Sequence, residues 1–549
     1  MKVYQRLSQA FKAEGTTNVF GMMGDGNMYW QHENYKNGIV MHEVRHEGAG
    51  LGMADGWARV TRQPGVATAT CGPGVTQLAT ALVTAARASS PLVAFCGEYP
   101  VSDDEYTQRL DQAAFAHGCE AAFVRMATPD AADDAVRKAF YIARLESRPV
   151  MLSVPMDLQQ KDWDDDEPYR PSTSLLPTAV VQPHPLLVEQ AADMICKAKK
   201  PIILAGRGAM WSNAGDAVRA LAKRTGALIA TSLMAKAWLA DDEYHIGISG
   251  TYATRTAMHL CEESDCVIAI GASLNRYTTE HGYLYPNAKF IHIDSKPHVM
   301  MSGGRGAELY VQADGRSGVE AIEAELNKRE FQQTGFRNGE VKERLANAWE
   351  DRREYPLEPG TLDPRQVCLA LDELIPTDIS LFSGSGSTAG FTNILFRKPR
   401  PMVLPGHFFG CIGQMMPAAI GAIIAKGMKP AILLDGDAST MMHIGEFETM
   451  VRYKVPLLIF VMNNQCLGAE YYKLDAHNMD KETSVISTPD LGAVATAFGG
   501  RGCIARTVDE VKKATAQWLA NPGPMIIDVR VSRSVVTLPY RRIHYGEDE

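Results

Sequence analysis

The sequence predicts an α/β protein made of three doubly wound parallel-sheet domains. Three observations support this class. Short apolar runs alternate with helical patterns along most of the 549 residues, glycine-rich corners follow several of these runs, and the strand–helix–strand order recurs along the chain. Because parallel strands need crossover helices on the faces of the sheet, this alternation favours parallel sheets covered by helices.

Breaks in composition divide the chain into three predicted domains, residues 1–165, 188–335 and 360–540. A segment rich in Asp, Pro and Ser, Lys161–Pro185, separates the first two, and a charged helical pattern, Glu340–Glu354, precedes the third. The predicted strands are Asn18–Met22, Val66–Thr70, Leu92–Cys96 and Val150–Val154 in the first domain, Pro201–Leu204, Leu228–Ala230, Cys266–Ile270 and Phe290–Ile293 in the second, and Ile379–Phe382, Ala431–Leu434, Leu457–Met462 and Met525–Val529 in the third.

Composition excludes several classes of protein. The net charge is −9 and no basic stripe is visible, so we expect no nucleic-acid partner. No apolar run approaches the roughly 20 residues that a membrane-spanning helix needs, and the amphipathic N-terminal segment lacks the apolar core of a signal peptide. The ten cysteines form no CxxC pair, which is typical of reduced, buried thiols. We therefore expect a cytoplasmic protein with no membrane partner.

The stretch from residue 430 to residue 473 carries the strongest chemical signal. An apolar run, Ala431–Leu434, ends just before Asp437, a helical pattern covers Met442–Tyr453, and a second apolar run, Leu457–Met462, ends just before Asn464. Parallel strands deliver their carboxyl ends to the same edge of a sheet, where open α/β sheets bind ligands. The pattern therefore predicts that Asp437 and Asn464 are neighbours in space.

A carboxylate beside an amide oxygen suits a hard, octahedral cation such as Mg²⁺, with water and substrate phosphates completing its shell. The backbone amides of Ala438 and Ser439 begin the helix and can bind phosphate oxygens. Taken separately, Asp437 would be explained by a turn and Asn464 by a strand-end loop. Their shared strand–helix–strand setting favours a site for a metal ion and a phosphate.

The spacing is also a family resemblance. The segment Gly436–Ala438, followed after 24 residues by Asn463–Asn464, resembles the diphosphate-binding motif of thiamine-diphosphate enzymes. With three α/β domains over nearly the whole chain, the sequence is similar to the 2-oxoacid decarboxylase and acetolactate synthase family. The resemblance implies thiamine diphosphate and Mg²⁺ as cofactors, and it adds the main-chain carbonyl of Cys466 to the metal ligands. Ala438 stands where the family usually has Gly, and its methyl group crowds the approach of the phosphate slightly.

The resemblance also implies a division of labour among the domains. In that family the first domain binds the aminopyrimidine ring, the third binds the diphosphate, and the middle domain is structural or binds a nucleotide. The ring and the diphosphate are held by different subunits. We therefore expect a homodimer or homotetramer with active sites at the subunit interfaces.

Glu47 follows Arg45 and His46 and precedes a run of small residues, Leu51–Ala58, that predicts a closely packed helix. This segment is similar to the family's catalytic glutamate segment. The resemblance implies that the Glu47 carboxylic acid contacts the aminopyrimidine and favours the imino tautomer, whose nitrogen takes the thiazolium proton to give the ylid. The alternative is a carboxylate that only stabilises the start of a helix.

Further positions that match the family would bind the cofactor. Gly410 would accept a hydrogen bond from the cofactor's amino group, and Ile412 would wedge beneath it and force its two rings to face each other. A Gly/Ser loop at the end of a strand offers amides and hydroxyls to phosphate. The full predicted set is Gly384, Ser385, Ser387, Gly410, Ile412, Gly436, Ala438 and Ser439.

Three side chains bear on the branch of the family. Asp25 and Glu470 match acids of pyruvate-decarboxylase-type enzymes, and opposed carboxyls can shuttle a proton at the substrate. The histidine pair of those decarboxylases is missing, and Gln112 stands at the corresponding place, as in lyase and carboligase members. A turn aspartate and an exposed helix glutamate are the plainer interpretations of the two acids. His443 is a lone histidine for which we expect a core or capping role.

The predicted function is cleavage or formation of a carbon–carbon bond beside a carbonyl. A 2-oxo acid or a 2-hydroxy ketone would react through ylid and enamine intermediates, as in a lyase or decarboxylase, with carboligation as a second outcome. The first alternative is an acetolactate-synthase-like carboligase. The second is an FAD-containing oxidase of the pyruvate-oxidase kind, which is disfavoured because Leu274–Tyr277 lacks the arginine- and aspartate-rich pattern that typically follows the middle-domain glycines.

Overall fold

The computed structural model describes residues 1–164, 167–296, 305–333, 335–346, 348, 351–406 and 408–547. It contains three six-stranded sheets, and every strand pairing within them is parallel. Helices flank each sheet. The predicted fold class is confirmed.

The first sheet has the strand order β2-β1-β3-β4-β6-β5. Its strands are β1 (Asn18–Gly21), β2 (Val40–Glu43), β3 (Gly65–Ala69), β4 (Leu92–Glu98), β5 (Ala122–Arg125) and β6 (Pro149–Pro155). The helices of this part are α1 (Val3–Ala13), α2 (Met28–Lys36), α3 (Glu47–Thr61), α4 (Pro73–Thr76), α5 (Ala79–Arg87), α6 (Gln112–Gly118), α7 (Ala132–Glu146) and α8 (Met156–Gln159).

The second sheet has the order β12-β11-β10-β7-β8-β9. Its strands are β7 (Pro201–Ala205), β8 (Leu228–Thr231), β9 (His245–Ile248), β10 (Cys266–Ile270), β11 (Lys289–Asp294) and β12 (Leu309–Gln312). The helices are α9 (Pro185–Lys197), α10 (Arg207–Trp211), α11 (Gly215–Thr225), α12 (Arg255–Glu262), α13 (Arg276–Thr279), α14 (Gly315–Lys328) and α15 (Gly339–Ala346).

The third sheet, β14-β13-β15-β16-β18-β17, repeats the topology of the first. Its strands are β13 (Ser380–Ser383), β14 (Val403–Pro405), β15 (Ala431–Gly436), β16 (Leu457–Asn463), β17 (Arg501–Ala505) and β18 (Met525–Arg530). The helices are α16 (Pro364–Leu374), α17 (Ser387–Leu395), α18 (Met415–Ala425), α19 (Asp437–Met442), α20 (Glu446–Arg452), α21 (Gly468–Ala476), α22 (Leu491–Ala497), α23 (Val508–Ala520) and α24 (Leu538–Tyr540).

Two helical predictions need correction. The helix expected over Met442–Tyr453 is divided, because α19 already begins at Asp437 and the chain leaves helical geometry at His443 before α20 starts. Among the described residues of the charged pattern Glu340–Glu354, only those in α15 are helical. Residues 347, 349 and 350 of that pattern lie outside the described residues. None of the described helices combines the length and apolar character needed to cross a membrane.

Helices α3 and α18 join the first and third sheets. A side chain carbon added at Gly56 would lie 1.9 Å from the carbonyl oxygen of Ala418, and one added at Gly421 would lie 1.8 Å from that of Met53. The two helix backbones therefore touch where side chains would normally separate them. The run of small residues predicts this close packing, and the structure confirms it.

We expect Gly56→Ala to destabilise the protein by roughly 1–3 kcal/mol, because the added methyl forces two packed helices apart. The apparent melting temperature should fall. Gly118→Ala is the matched control, since nothing lies within 4 Å of the added carbon there, and its melting temperature should stay the same or rise slightly. An unchanged melting temperature for Gly56→Ala would show that the helices separate at no cost.

Candidate active site

The end of β15 presents a buried carboxylate. Asp437 is the first residue of α19 and is 2% exposed. Its Oδ2 has no hydrogen-bond partner among the described residues, and burial raises the pKa of Asp437 to about 6. A buried, unpartnered carboxylate oxygen is costly, and a bound cation would remove that cost. The donor chemistry at this position therefore fits a metal ion.

The end of β16 lies beside it. Gly436 of β15 pairs with Met462 of β16, so both strands reach the same edge. Beyond the strand, Asn464 Oδ1 accepts a hydrogen bond from the Cys466 amide at 3.2 Å, and Gln465 adopts a positive φ of 54° that turns the chain back. The sequence thus predicts correctly that the two strand tips meet at one edge.

Cys466 connects this turn to Asp437. Burial, and then the charge of Asp437, raise the pKa of the Cys466 thiol to about 12. The predicted role of Cys466 belongs to its main-chain carbonyl and does not involve the thiol. No group of three or more His, Cys, Asp or Glu side chains in the described part of the chain could hold a metal by itself. A cation here would need Asp437, amide and carbonyl oxygens, and phosphate.

The loop after β13 completes the cradle. Strands β13 and β15 are neighbours at the point where the strand order reverses, which is where open α/β sheets bind ligands. A carbon added at Gly384 would lie 2.0 Å from Asp435 Oδ1, so only glycine fits there. A carbon added at Gly468 would meet Ser387 Oγ at 2.4 Å and Asn464 Nδ2 at 3.0 Å, so Ser387 and Asn464 line the same narrow space.

Two serine hydroxyls have partners that the sequence does not reveal. Ser385 donates to the carbonyl of Gly406 at 2.6 Å. Ser439 donates to Asp435 Oδ2 at 2.8 Å and accepts from the Gly413 amide at 2.8 Å. The hydroxyl that the sequence offers to phosphate at Ser385 is therefore used within the protein, and Ser439 binds the loop that precedes α18 to the start of α19.

That loop carries the predicted ring-binding residues. Gly410 has a φ of 74°, which favours glycine, and is exposed, while Ile412 is half-buried. Between them Cys411 contacts the Thr84 hydroxyl of α5 at 3.4 Å. The loop therefore lies at the contact between the parts of the chain that hold the first and third sheets.

Glu47 follows β2 and is the first residue of α3. It is half-buried, and a carbon added at Gly74 would lie 3.3 Å from its Oε1. His46 caps the helix by accepting a hydrogen bond from the Gly48 amide at its Nδ1, 3.0 Å away. Glu47 thus lies at the carboxyl edge of the first sheet, next to the glycine-rich turn after β3.

Asp25 and Gln112 lie at the same edge. Asp25 is exposed. The pKa of the Cys71 thiol is raised, mainly by burial and to a smaller extent by the negative charge of Asp25. Gln112 is 4% exposed and donates from Nε2 to the carbonyl of Gly97 at 2.6 Å, and its Oε1 has no partner among the described residues. The backbone of Gly97 packs directly on Gly26, the residue after Asp25.

Glu470 lies elsewhere, on α21 after β16. Glu470 is exposed, and its carboxylate lies 3.5 Å from the Lys473 amine. The pKa of Tyr540 is raised to about 12, first by the burial of Tyr540 and second by the charge of Glu470. No hydrogen bond or ion pair of the described residues joins Glu470 to Asp25. One chain therefore presents its two groups of predicted residues at the edges of two different sheets.

Comparison with known proteins identifies the family. Three family models match in order, the N-terminal TPP binding domain of thiamine pyrophosphate enzymes over residues 1–115, the central domain over 188–322 and the C-terminal TPP binding domain over 384–529. The acetolactate synthase large subunit of Parasynechococcus marenigrum is 30% identical over 550 residues, which cover 96% of this chain and 87% of that protein. The chain belongs to the acetolactate synthase family of thiamine-pyrophosphate-dependent enzymes.

Other relatives agree over similar lengths. The acetolactate synthase isozyme 2 large subunit of Escherichia coli is 29% identical over 545 residues, covering 96% of this chain and 95% of that protein. The chloroplastic acetolactate synthase 2 of Nicotiana tabacum is 28% identical over 574 residues, covering 97% and 82%. The chain is therefore an enzyme of the thiamine-diphosphate type, and the family resemblance drawn from the diphosphate-binding motif is confirmed.

Two strand-end amides of the middle sheet, at the glycines for which the sequence analysis considers a nucleotide, have backbone partners. The Gly206 amide donates to the Ile270 carbonyl at 2.8 Å, and the Gly208 amide donates to the Gly271 carbonyl at 2.9 Å. Arg207 between them stacks on Trp211 with its guanidinium carbon 4.4 Å from the ring centroid.

Sequence reasoning missed the buried acids behind the site. Asp435 is fully buried, and burial raises its pKa to about 7. Glu446 is 1% exposed and accepts a hydrogen bond from the Arg45 amide. His443 packs on the His46 ring at 5.3 Å, in keeping with the core role expected for it. The signal available for Asp435 and Glu446 was a charged residue inside an apolar pattern.

We expect Asp437→Asn to stabilise the cofactor-free protein near pH 7 by roughly 2–3 kcal/mol. Because the folded-state pKa of Asp437 is raised from 3.8 to about 6, its ionised form destabilises the fold, and this penalty grows as the pH rises through that interval. The gain from Asn should therefore shrink as the pH falls toward about 4. Thermal unfolding at several pH values measures it.

Asp216→Asn is the control for this experiment, because the Asp216 side chain is fully exposed and its ion pair with Arg219, at 3.7 Å, lies at the surface. Its replacement should change stability by less than about 1 kcal/mol at any pH. A gain for Asp437→Asn that stays constant between about pH 7 and about pH 5 would contradict the burial of an unpartnered charge.

Proposed function

We propose that the protein is a thiamine-diphosphate- and Mg²⁺-dependent carboligase. It would remove CO₂ from a 2-oxo acid and join the remaining acyl unit to a second carbonyl compound, giving a 2-hydroxy ketone. The observation that carries the proposal is the buried, unpartnered Oδ2 of Asp437 at the reversal point of the third sheet. Relatives named acetolactate synthase over nearly the whole chain favour this branch.

Each end of the cofactor would have its own set of residues. Asp437, the Asn464 amide oxygen and the Cys466 carbonyl would bind Mg²⁺, and the amides of Ala438 and Ser439 would bind the diphosphate. Gly384 and Ser387 would line the same space. When bound, thiamine diphosphate supplies a nucleophilic carbon and an electron sink for the loss of CO₂.

Glu47 would hold a proton against the aminopyrimidine nitrogen of the cofactor. We infer from the family resemblance, and not from a contact within one chain, that a second copy of the chain completes the site and that Glu47 of one subunit meets the diphosphate edge of the other. Gly410 and Ile412 would bind the ring portion from the diphosphate side. A homodimer is then the smallest active assembly, and a homotetramer of two such dimers is compatible with the same sites.

Gln112 and the two acids bear on what happens after CO₂ leaves. The unpartnered Oε1 of Gln112 can orient a substrate hydroxyl or bound water. Asp25 and Glu470 are exposed in a single chain, and the second subunit would decide how dry their surroundings become in the assembled site. The two acids support the alternative, simple decarboxylation to an aldehyde, whereas Gln112 and the relatives named acetolactate synthase favour carboligation.

We also propose that FAD is not required. The strand-end amides of the middle sheet donate to backbone carbonyls of the neighbouring loops, which leaves few donors for a flavin pyrophosphate. A purified protein that is yellow, and that loses activity when the flavin is removed, would contradict this part of the proposal.

The direct test supplies carboxyl-labelled 2-oxo acids of increasing side-chain size to the full-length protein with thiamine diphosphate and Mg²⁺. We expect one 2-hydroxy ketone or acetohydroxy acid for each CO₂ released, and no product in the presence of a chelator or with Asp437→Asn. Aldehyde formed in step with CO₂, even with an excess of a second carbonyl compound, would establish a decarboxylase instead.

We expect Glu47→Gln to bind thiamine diphosphate normally but to slow exchange of the thiazolium carbon-2 proton with solvent by about 100-fold or more. The reason is that an amide cannot share a proton with the ring nitrogen. Quenched NMR measures the exchange, and retained cofactor affinity serves as the control for folding. Exchange as fast as in the parent would refute the assignment of Glu47.

A further inference from the structure

The strand that leads to Glu47 lies at an edge of the first sheet. The amides of Glu43 and Arg45 point away from β1, since the intervening Val44 amide donates to the carbonyl of Gly21. Edge amides of this kind have no strand partner. Here side chains from the C-terminal part of the chain accept the hydrogen bonds that a neighbouring strand would otherwise accept. The Glu43 amide donates to the Tyr453 hydroxyl at 2.8 Å, and the Arg45 amide donates to Glu446 Oε1 at 2.9 Å.

The Glu446 side chain is buried, and both of its carboxylate oxygens accept hydrogen bonds. It is 1% exposed, and the Thr449 hydroxyl donates to its second oxygen, Oε2, at 2.7 Å. The pKa of Glu446 is raised overall, because the effect of burial exceeds the lowering by hydrogen bonds from Thr449 and from the backbone of Arg45 and His46. A buried carboxylate is stable only when such donors occupy its oxygens. The donors here include the two residues that precede Glu47.

The same segment is held from a second direction. The His46 ring packs on the His443 ring with centroids 5.3 Å apart, and His443 Nε2 lies 3.3 Å from Gln414 Nε2. His443 lies in the break between α19 and α20, and Glu446 is the first residue of α20. The turn that follows the diphosphate-binding helix therefore contacts the backbone that carries Glu47.

We propose that Glu446 is a positioning residue for Glu47. Its carboxylate holds the backbone of Arg45 and His46 from the C-terminal domain and thereby fixes where the next side chain projects. This inference rests on the proposed function of Glu47 as the acid at the aminopyrimidine. Proton transfer is sensitive to such placement, because a displacement of about 1 Å can slow a reaction by about 100-fold.

A neighbouring contact gives a matched control. Arg45 also forms an ion pair with Glu448 at 2.8 Å, but this pair joins side chains that are 57% and 28% exposed. Exposed ion pairs contribute little, and Glu448 binds the Arg45 guanidinium rather than its backbone. If the inference is right, removing Glu448 leaves Glu47 in place, whereas removing Glu446 does not.

The experiment compares Glu446→Ala, Glu446→Gln and Glu448→Ala in the full-length protein with thiamine diphosphate and Mg²⁺. We expect Glu446→Ala to slow exchange of the thiazolium carbon-2 proton by about tenfold or more with cofactor affinity unchanged. Glu446→Gln should restore most of the rate, because its amide oxygen still accepts from the Arg45 backbone. Glu448→Ala should match the parent.

A second measurement uses the cofactor-free protein. Hydrogen–deuterium exchange of the backbone amides of residues 43–47 should be faster in Glu446→Ala than in the parent and unchanged in Glu448→Ala. If Glu446→Ala does not fold, Glu446→Asp replaces it, because Asp keeps the charge but is one methylene too short to reach the same amides. We expect Glu446→Asp to show the same slow thiazolium exchange in a folded protein.

Two outcomes would overturn the inference, and they are distinguishable. If Glu47→Gln stops thiazolium exchange while Glu446→Ala, or Glu446→Asp in its place, exchanges like the parent, the positioning role is wrong and the proposed function stands. If Glu47→Gln itself exchanges like the parent, the proposed role of Glu47 fails, and the role of Glu446 fails with it.

Discussion

The close backbone contact between α3 and α18 is the constraint on which the rest of the structure depends. Glycine at positions 56 and 421 lets each helix touch a carbonyl of the other, which fixes the first sheet relative to the third. Only with that distance set can Glu446 reach the Arg45 amide, 401 residues away in sequence. The helix contact thus determines where Glu47 stands relative to the turn after α19.

A second constraint acts at the edge of the third sheet, where charge is buried without an internal partner. Asp435 is satisfied by Ser439 and the Gly436 amide, but one oxygen of Asp437 is not satisfied within the described residues. A buried carboxylate oxygen without a partner is costly, and a bound cation would compensate for that cost. The local instability of the cofactor-free site and the cation binding that we propose for it would then have the same physical origin.

Several features could be read from the sequence because they leave a local pattern. The apolar runs that predict strands correspond to the four central strands of each sheet, since these are buried on both faces. The six strands without such a signal are β2, β5, β9, β12, β14 and β17, and all of them lie at sheet edges. Edge strands are short and partly exposed, so their composition does not distinguish them from loops.

The sequence by itself determined the fold class, the tightly packed helix at Leu51–Ala58, and the meeting of the residues that follow β15 and β16 at one edge. Each of these depends on periodicity or on the fixed direction of parallel strands. Only the tertiary structure decided that the hydroxyls of Ser385 and Ser439 serve the protein itself, and that Glu446 binds the backbone before Glu47. Periodicity shows which face of an element is buried, but it carries no information about which distant group will lie against that face.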